Sequence, residues 1–338
     1  MKYTIWNNKG GTGKTSLSFQ TITTYALTKP DERILVIDLC PQANVSELLL
    51  GGLQGNGNTS LQSLYNQPTR QSIGGYFQLR IPSPFKPPTI DPTLFITTPC
   101  TSNPNIATNI DLLAGDRLLE IQSNALTSLA NSQLPGVNAR LAIIDWINDF
   151  ISVTGNTYQT IFIDTNPSFS IHTQIALAST DRLILPIMAD DSSRRAIANV
   201  FTLIYGLNIP NAIYNAYMFS TTLHDAGRSL PLVHLIIRNR ITQYMGEASA
   251  YGAVLNHITE DVQNLLRTHP TLFTFATTAQ GILSVKDFGT TGVVAFAEGT
   301  PFNQLRTGNH VINGRNTKVN KSMLVACISD INAIVAHL

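Results

Sequence analysis

Trp6-Asn7-Asn8-Lys9-Gly10-Gly11-Thr12-Gly13-Lys14-Thr15 follows an apolar stretch, Tyr3 to Trp6, and runs into a helical pattern from Lys14 to Thr28. Gly10, Gly11 and Gly13 free the backbone to wrap an anion with its N–H groups. A helix opening at Lys14 turns its positive end on the same point. Lys14 can reach β- and γ-phosphates, and the Thr15 hydroxyl can hold Mg²⁺. A plain turn needs one or two glycines, not this set followed by Lys-Thr at the mouth of a helix. Gly10 through Ser16 therefore form the expected nucleotide cradle. The strict phosphate-loop pattern would place glycine at position 8, where this chain has Asn8, and a second lysine, Lys9, lies inside the loop.

That inner lysine makes the loop resemble the deviant Walker A motif of the ParA/MinD family, KGGxGK[T/S]. The resemblance implies that Lys9 crosses a dimer interface to the partner subunit's nucleotide. Further segments extend it. Thr160-Ile161-Phe162-Ile163-Asp164 reads as a buried strand ending on a carboxylate, similar to the family's Walker B segment, so Asp164 is expected to hold Mg²⁺ through its water shell beside Thr15. Asp38-Leu39-Cys40-Pro41-Gln42-Ala43-Asn44 resembles the family's Asp-x-Asp-Pro-Gln-x-Asn, with Asp38 as the first aspartate. Relatives use the second aspartate to activate the attacking water, and here that position is Cys40. A thiol is mostly neutral at pH 7 and a poor acceptor, more so beside a polyanion. Slow intrinsic hydrolysis is the expectation, with Asp38 the alternative group to position water. Thr180 to Ile187 looks like the family's Asp…Pro strand, and Asn239, at the end of Leu232 to Ile237 and its continuation, resembles the asparagine that contacts adenine in relatives. The resemblance covers nearly the whole chain.

The order strand, phosphate loop, helix, strand (Arg33 to Asp38) predicts an α/β fold with a doubly wound, mostly parallel sheet between helical layers. Residues 1–338 read as a single P-loop ATPase domain with a loop-rich insertion about 51–104, bearing a short helix near Leu61 to Tyr65, and an enlarged region about 206–290. Further strands are expected at Asn109 to Leu113 and Arg182 to Ile187, with Gly292 to Phe296 as a weaker edge strand. Helices are expected from about Asp116, over Ala139 to Ile151, Ser193 to Tyr205, Ala248 to Arg267 and Met323 to Ala336.

The 338 residues carry a net charge of +1 and 13% charged side chains, so no global field draws the chain to nucleic acid or anionic lipid. Cys40, Cys100 and Cys327 have no CxxC spacing, which fits a reducing cytoplasm. No apolar run approaches the ~18 residues of a membrane span, and no leader pattern precedes the first strand. Cations gather locally, as Arg194, Arg195, Arg228, Arg238 and Arg240, and as Arg306, Arg315, Lys318 and Lys321. By resemblance, the chain would be an ATPase that forms an ATP-sandwich homodimer, binds non-specific DNA and positions a cargo. It would associate with the nucleoid, and a ParB-like or cargo-adaptor protein would release it. Arg228, Arg306, Arg315, Lys318 and Lys321 are the candidate DNA contacts, since an ATP dimer doubles a local patch. A MinD-like membrane ATPase is the nearest alternative, but the last helix carries no Lys or Arg after Lys321. Iron–sulfur carriers and P-loop ligases are more remote readings, since the cysteines are not placed to bridge a cluster and ligases usually lack the Asp-x-x-Pro-Gln-x-Asn segment.

Overall fold

The computed structural model describes residues 1–241 and 250–338. Its first unit is β1 (Lys2–Ile5), α1 (Lys14–Thr28) and β2 (Ile34–Leu39). Every β2 residue is buried, because helices cover both faces of the sheet and no polar alternation is needed. Next come α2 (Asn44–Leu49), α3 (Gly57–Tyr65), α4 (Ile73–Arg80), β3 (Ile96–Thr97) and β4 (Ile110–Leu113). The stretch 51–104 is thus more ordered than its glycines and prolines suggest. Tyr76 and Phe77 of α4 are fully buried, and that burial outweighs Gly74-Gly75 in the first turn.

α5 (Leu118–Ala130), α6 (Ala139–Ile144) and α7 (Trp146–Val153) follow, so the helix expected over Ala139 to Ile151 is broken at Asp145. The Asp145 carboxylate accepts from Asn148 and Arg228 at the break. β5 (Thr160–Thr165), α8 (Ile171–Ala178), β6 (Arg182–Ile187), α9 (Asp191–Tyr205), α10 (Phe219–Asp225) and β7 (Leu232–Ile241) continue the winding. The expected start of the next helix, Ala248, lies outside the described residues; α11 is described over Ala250–Thr268.

The chain ends with α12 (Thr278–Gly281), β8 (Ile282–Lys286), α13 (Gly289–Glu298), the hairpin β9 (Gly308–Ile312) and β10 (Arg315–Val319), and α14 (Lys321–Val335). The strand expected at Gly292 to Phe296 is corrected to part of α13. Val294 and Ala295 face the core while Val293 and Phe296 are exposed, a helical period, and Gly299 closes the helix at φ 57°. β8 supplies the sheet edge instead.

The sheet runs β3-β4-β2-β5-β1-β6-β7-β8, parallel throughout except for β3 against β4. Alternate residues of one strand feed two cores: Leu35, Ile37 and Leu39 pack under α4 to α10, while Ile34 and Val36 pack under α1, α2, α13 and α14. The phosphate-loop strand β1 lies between β5 and β6, with Ile5 opposite Asp164. β2 flanks β5 on its other side, and Asp38 stands opposite Asp164. The carboxyl ends of β1, β2 and β5 therefore meet at one point, where an open α/β sheet binds ligands.

Candidate functional site

At that point the loop 7–13 curls over the start of α1. Gly11 (φ 75°) and Gly13 (φ 81°) hold the left-handed backbone that the curl requires. Gly13 is the N-cap of α1 and supplies no side-chain acceptor, so the first N–H groups of a 15-residue helix face the loop without a cap. Lys14 is buried beneath them, donating to the carbonyls of Lys9 (2.9 Å) and Asn7 (3.3 Å). Burial lowers the Lys14 pKa, opposed by the nearby Asp164 and Cys40. The Thr12 hydroxyl and Asn8 Oδ1 are buried without a partner, which leaves polar atoms in the loop for an anion or its water to satisfy.

Gly10, Gly11, Gly13, Lys14, Thr15, Ser16, Cys40, Gln42, Asn44, Asp164 to Pro167 and Arg240 enclose a cavity of about 270 Å³. Thr15 and Asp164 both line it, a hydroxyl and a carboxylate facing one space, which suits a hydrated cation carried by phosphate. Asp164 accepts from Ser18 Oγ at 2.8 Å. Burial and the neighbouring Asp38 push its carboxyl up to about 8, with Ser18 and Lys14 opposing.

Residues 2–210 match the family model AAA_31, described as an AAA domain, which represents ParA/MinD-type P-loop ATPases. The chain belongs to the ParA/MinD family. No curated protein matches its sequence. The apo McdA structure from Cyanothece is 13% identical with a TM-score of 0.60, each chain covered over 98%. A plasmid partition protein from Borrelia burgdorferi bound to AMPPNP is 16% identical with a TM-score of 0.56, covering 99% of this chain and 98% of its own. pNOB8 ParA is 18% identical with a TM-score of 0.50, covering 84% of this chain and 81% of its own. At these identities the likeness is one of fold.

Within the family frame, Lys9 occupies the inner-lysine position, and its ammonium is held in cis. It pairs with Asp190 and lies 3.3 Å from Ser193 Oγ, at the start of α9. Burial opposes ionisation of Asp190, yet hydrogen bonds from Lys9, Ser192 and Ser193 outweigh it and hold the carboxyl at about 2. Asp38 does not line the cavity. It is fully buried, one oxygen accepting from Cys40 N–H (2.9 Å) and the other from Ser46 N–H (3.0 Å) and Ser46 Oγ (2.7 Å). Those bonds fix the β2–α2 loop, in which Ala43 adopts φ 53°. Cys40 does line the cavity, and its thiol donates to Gln42 Oε1 at 2.9 Å. Burial, then Asp38 and Asp164, push that thiol far up, so it stays protonated.

Asn239 Nδ2 donates to the Thr12 carbonyl at 2.8 Å and its Oδ1 accepts from Arg240 N–H, which makes Asn239 a clamp on the phosphate loop. A Cβ at Gly13 would lie 2.2 Å from that amide and displace it, while φ 81° strains any other residue there. Arg240, at φ 58°, was not singled out from the sequence as a site residue, although a cation at the carboxyl end of a parallel strand was a usable signal. The structure separates the candidate DNA contacts. Arg228 pairs with Asp145 (2.8 and 2.9 Å) and donates to the Ala178 carbonyl on the α6–α8 face. Arg306, Arg315, Lys318 and Lys321 are exposed around the hairpin and the start of α14, on the opposite face. Among the described residues no helix is long and apolar enough to cross a membrane.

Proposed function

We propose that this chain is an ATP-driven switch of the ParA kind, a single ATPase unit that binds Mg²⁺·ATP, forms a sandwich homodimer, engages non-specific DNA and positions a DNA or protein cargo. The observation that carries it is the cradle of Gly10 to Ser16, with Lys9 preceding it in the same loop. The α1 N-terminus and Lys14 neutralise the phosphates, and Arg240 adds a further cation from the β7 end. Thr15, and Asp164 through its water shell, would hold Mg²⁺, which would supply charge screening at the phosphates. Asp38 keeps the loop bearing Cys40 and Gln42 against the phosphates. In the dimer Lys9 leaves Asp190 for the partner's nucleotide.

Cys40 cannot take a proton from water while its own thiol stays protonated, so turnover is slow and the ATP-bound state is long-lived. Arg306, Arg315, Lys318 and Lys321 form the better DNA surface, doubled in the dimer; Arg228 is already paired. A ParB-like or adaptor protein accelerates release, and the protein works in the cytoplasm on the nucleoid. Sedimentation with ATP, ADP and no nucleotide tests the switch: a dimer with ATP alone, lost in Lys9→Ala, is expected. A monomer with ATP, or dimerisation indifferent to Lys9, would refute it.

A further inference from the structure

The turn Leu134-Pro135-Gly136-Val137 projects between α5 and α6, closed by a Leu134–Val137 bridge and by Gly136 at φ 74°. It walls an open concavity of about 610 Å³ that Arg140 also lines. Leu134 and Val137 on the turn are exposed, at 42% and 41%. Among the described residues no acidic side chain lines this space.

Arg140 is the anomaly. Its side chain is half-buried, its Nε is buried without an acceptor, and one amino group donates to the neutral Gln174 Oε1 at 2.8 Å. Among the described residues no carboxylate pairs with it, and burial lowers its pKa with nothing opposing. A desolvated guanidinium without a counter-ion is a costly arrangement unless a ligand completes it. Among the described residues Arg238 also lacks a carboxylate, but it is capped by the Leu255 carbonyl and the Thr259 hydroxyl beneath α11. Arg140 alone of the two lines an open space.

We propose that this concavity is a carboxylate-binding site in which Arg140 receives a glutamate or aspartate side chain of a partner protein, flanked by apolar residues that rest on Leu134 and Val137. The planar fork of arginine matches a carboxylate, and the apolar rim excludes water from the pair. The site also touches the nucleotide switch. Gln174 lies on α8 beside Thr173, whose hydroxyl donates to the Ser168 carbonyl at 2.6 Å and lies 3.1 Å from Asn166 Oδ1. Asn166 lines the phosphate cavity. A carboxylate on Arg140 displaces Gln174, and α8 carries that change to the loop after Asp164.

The coupling to turnover rests on the ATPase reading above, whereas the carboxylate site does not, so binding is read first without nucleotide. The probes are acetyl-Leu-Glu-Val-amide and its Gln counterpart, titrated into ¹⁵N-labelled protein. The Arg140 Nε–H resonance is assigned by its absence in Arg140→Gln. A saturable shift with the Glu peptide, at a dissociation constant near ~1 mM, is expected, with the Gln peptide at least about tenfold weaker. The backbone signals of Asn166 and Ser168 should move with it, and should stay still in Arg140→Gln, whose remaining spectrum reports an intact fold. No shift, or equal response to both peptides, overturns the site; a shifted Arg140 with residues 166 and 168 unmoved overturns its link to the switch.

Discussion

Lys9 cannot serve Asp190 in its own chain and a nucleotide in the partner at once. In the proposed dimer, whatever stabilises the cis pair is subtracted from assembly. The carboxyl of Asp190 falls from its ordinary 3.8 to about 2. Undiluted, such a fall is worth about 2.5 kcal/mol. The Asp190 side chain is 39% exposed and the Ser192 and Ser193 bonds account for part of the fall, so the share of the Lys9 pair is about 1 kcal/mol. A symmetric dimer breaks the pair twice, so about 2 kcal/mol opposes assembly, or ~30-fold in the dimer dissociation constant. Asp190→Asn isolates this term. Asp190 Oδ1 accepts from Ser193 N–H and Ser192 Oγ, both at 2.8 Å, and asparagine retains that cap while losing the charge on Lys9. The variant should melt about 2 °C lower and dimerise about 30-fold more tightly in sedimentation with a non-hydrolysable ATP analogue. Because the Asp190 carboxyl is depressed on folding, its stabilisation is present above pH ~4 and is lost as pH falls through about 2, so both effects persist across neutral pH. Unchanged or weaker dimerisation in a folded Asp190→Asn protein would refute the competition.

Gly13→Ala should be destabilised by about 2–3 kcal/mol in denaturant titration, from its φ of 81° and the displaced Asn239–Thr12 bond, and Asn239→Ala should relieve part of that loss; strict additivity of the two would contradict the contact. Asp164 is raised on folding, so the empty protein should lose stability as pH rises from about 4 to about 8 and level off beyond, and Asp164→Asn should flatten that slope in unfolding curves. Cys40→Asp should raise the single-turnover hydrolysis rate by about 10²-fold, as a positioned base would, and no gain would remove the argument for slow turnover.

The sheet and its site were legible because strong signals coincided: apolar strands such as Ile34 to Ile37, a glycine loop, and carboxylates at the strand ends. Gly292 to Phe296 misled because a short run of glycine and apolar residues fits either period, and only the facing core decides. The helix at Ile73 was hidden by adjacent glycines whose tight packing on Asp116 and Arg70 leaves no room for a Cβ. At the site, residue types gave position but not partner. Asp38 and Asn239 read as groups for water and adenine, while the bonds Asp38 accepts from Ser46 and Cys40 and the one Asn239 donates to Thr12 depend on placement that residue type does not give. Arg140 was silent in the sequence, since an unpaired guanidinium is a fact of burial and neighbours.

The central claim is that nucleotide, Lys9 and DNA are linked in one switch. It is tested most directly by DNA retardation with ATP, ADP and no nucleotide, comparing wild type, Lys9→Ala and an Arg315→Ala/Lys318→Ala hairpin variant on an unrelated DNA sequence. Retardation is expected with ATP alone, lost in Lys9→Ala, and weakened in the hairpin variant with a shallower salt dependence. DNA binding that ignores nucleotide and Lys9, or none under any condition, would contradict it.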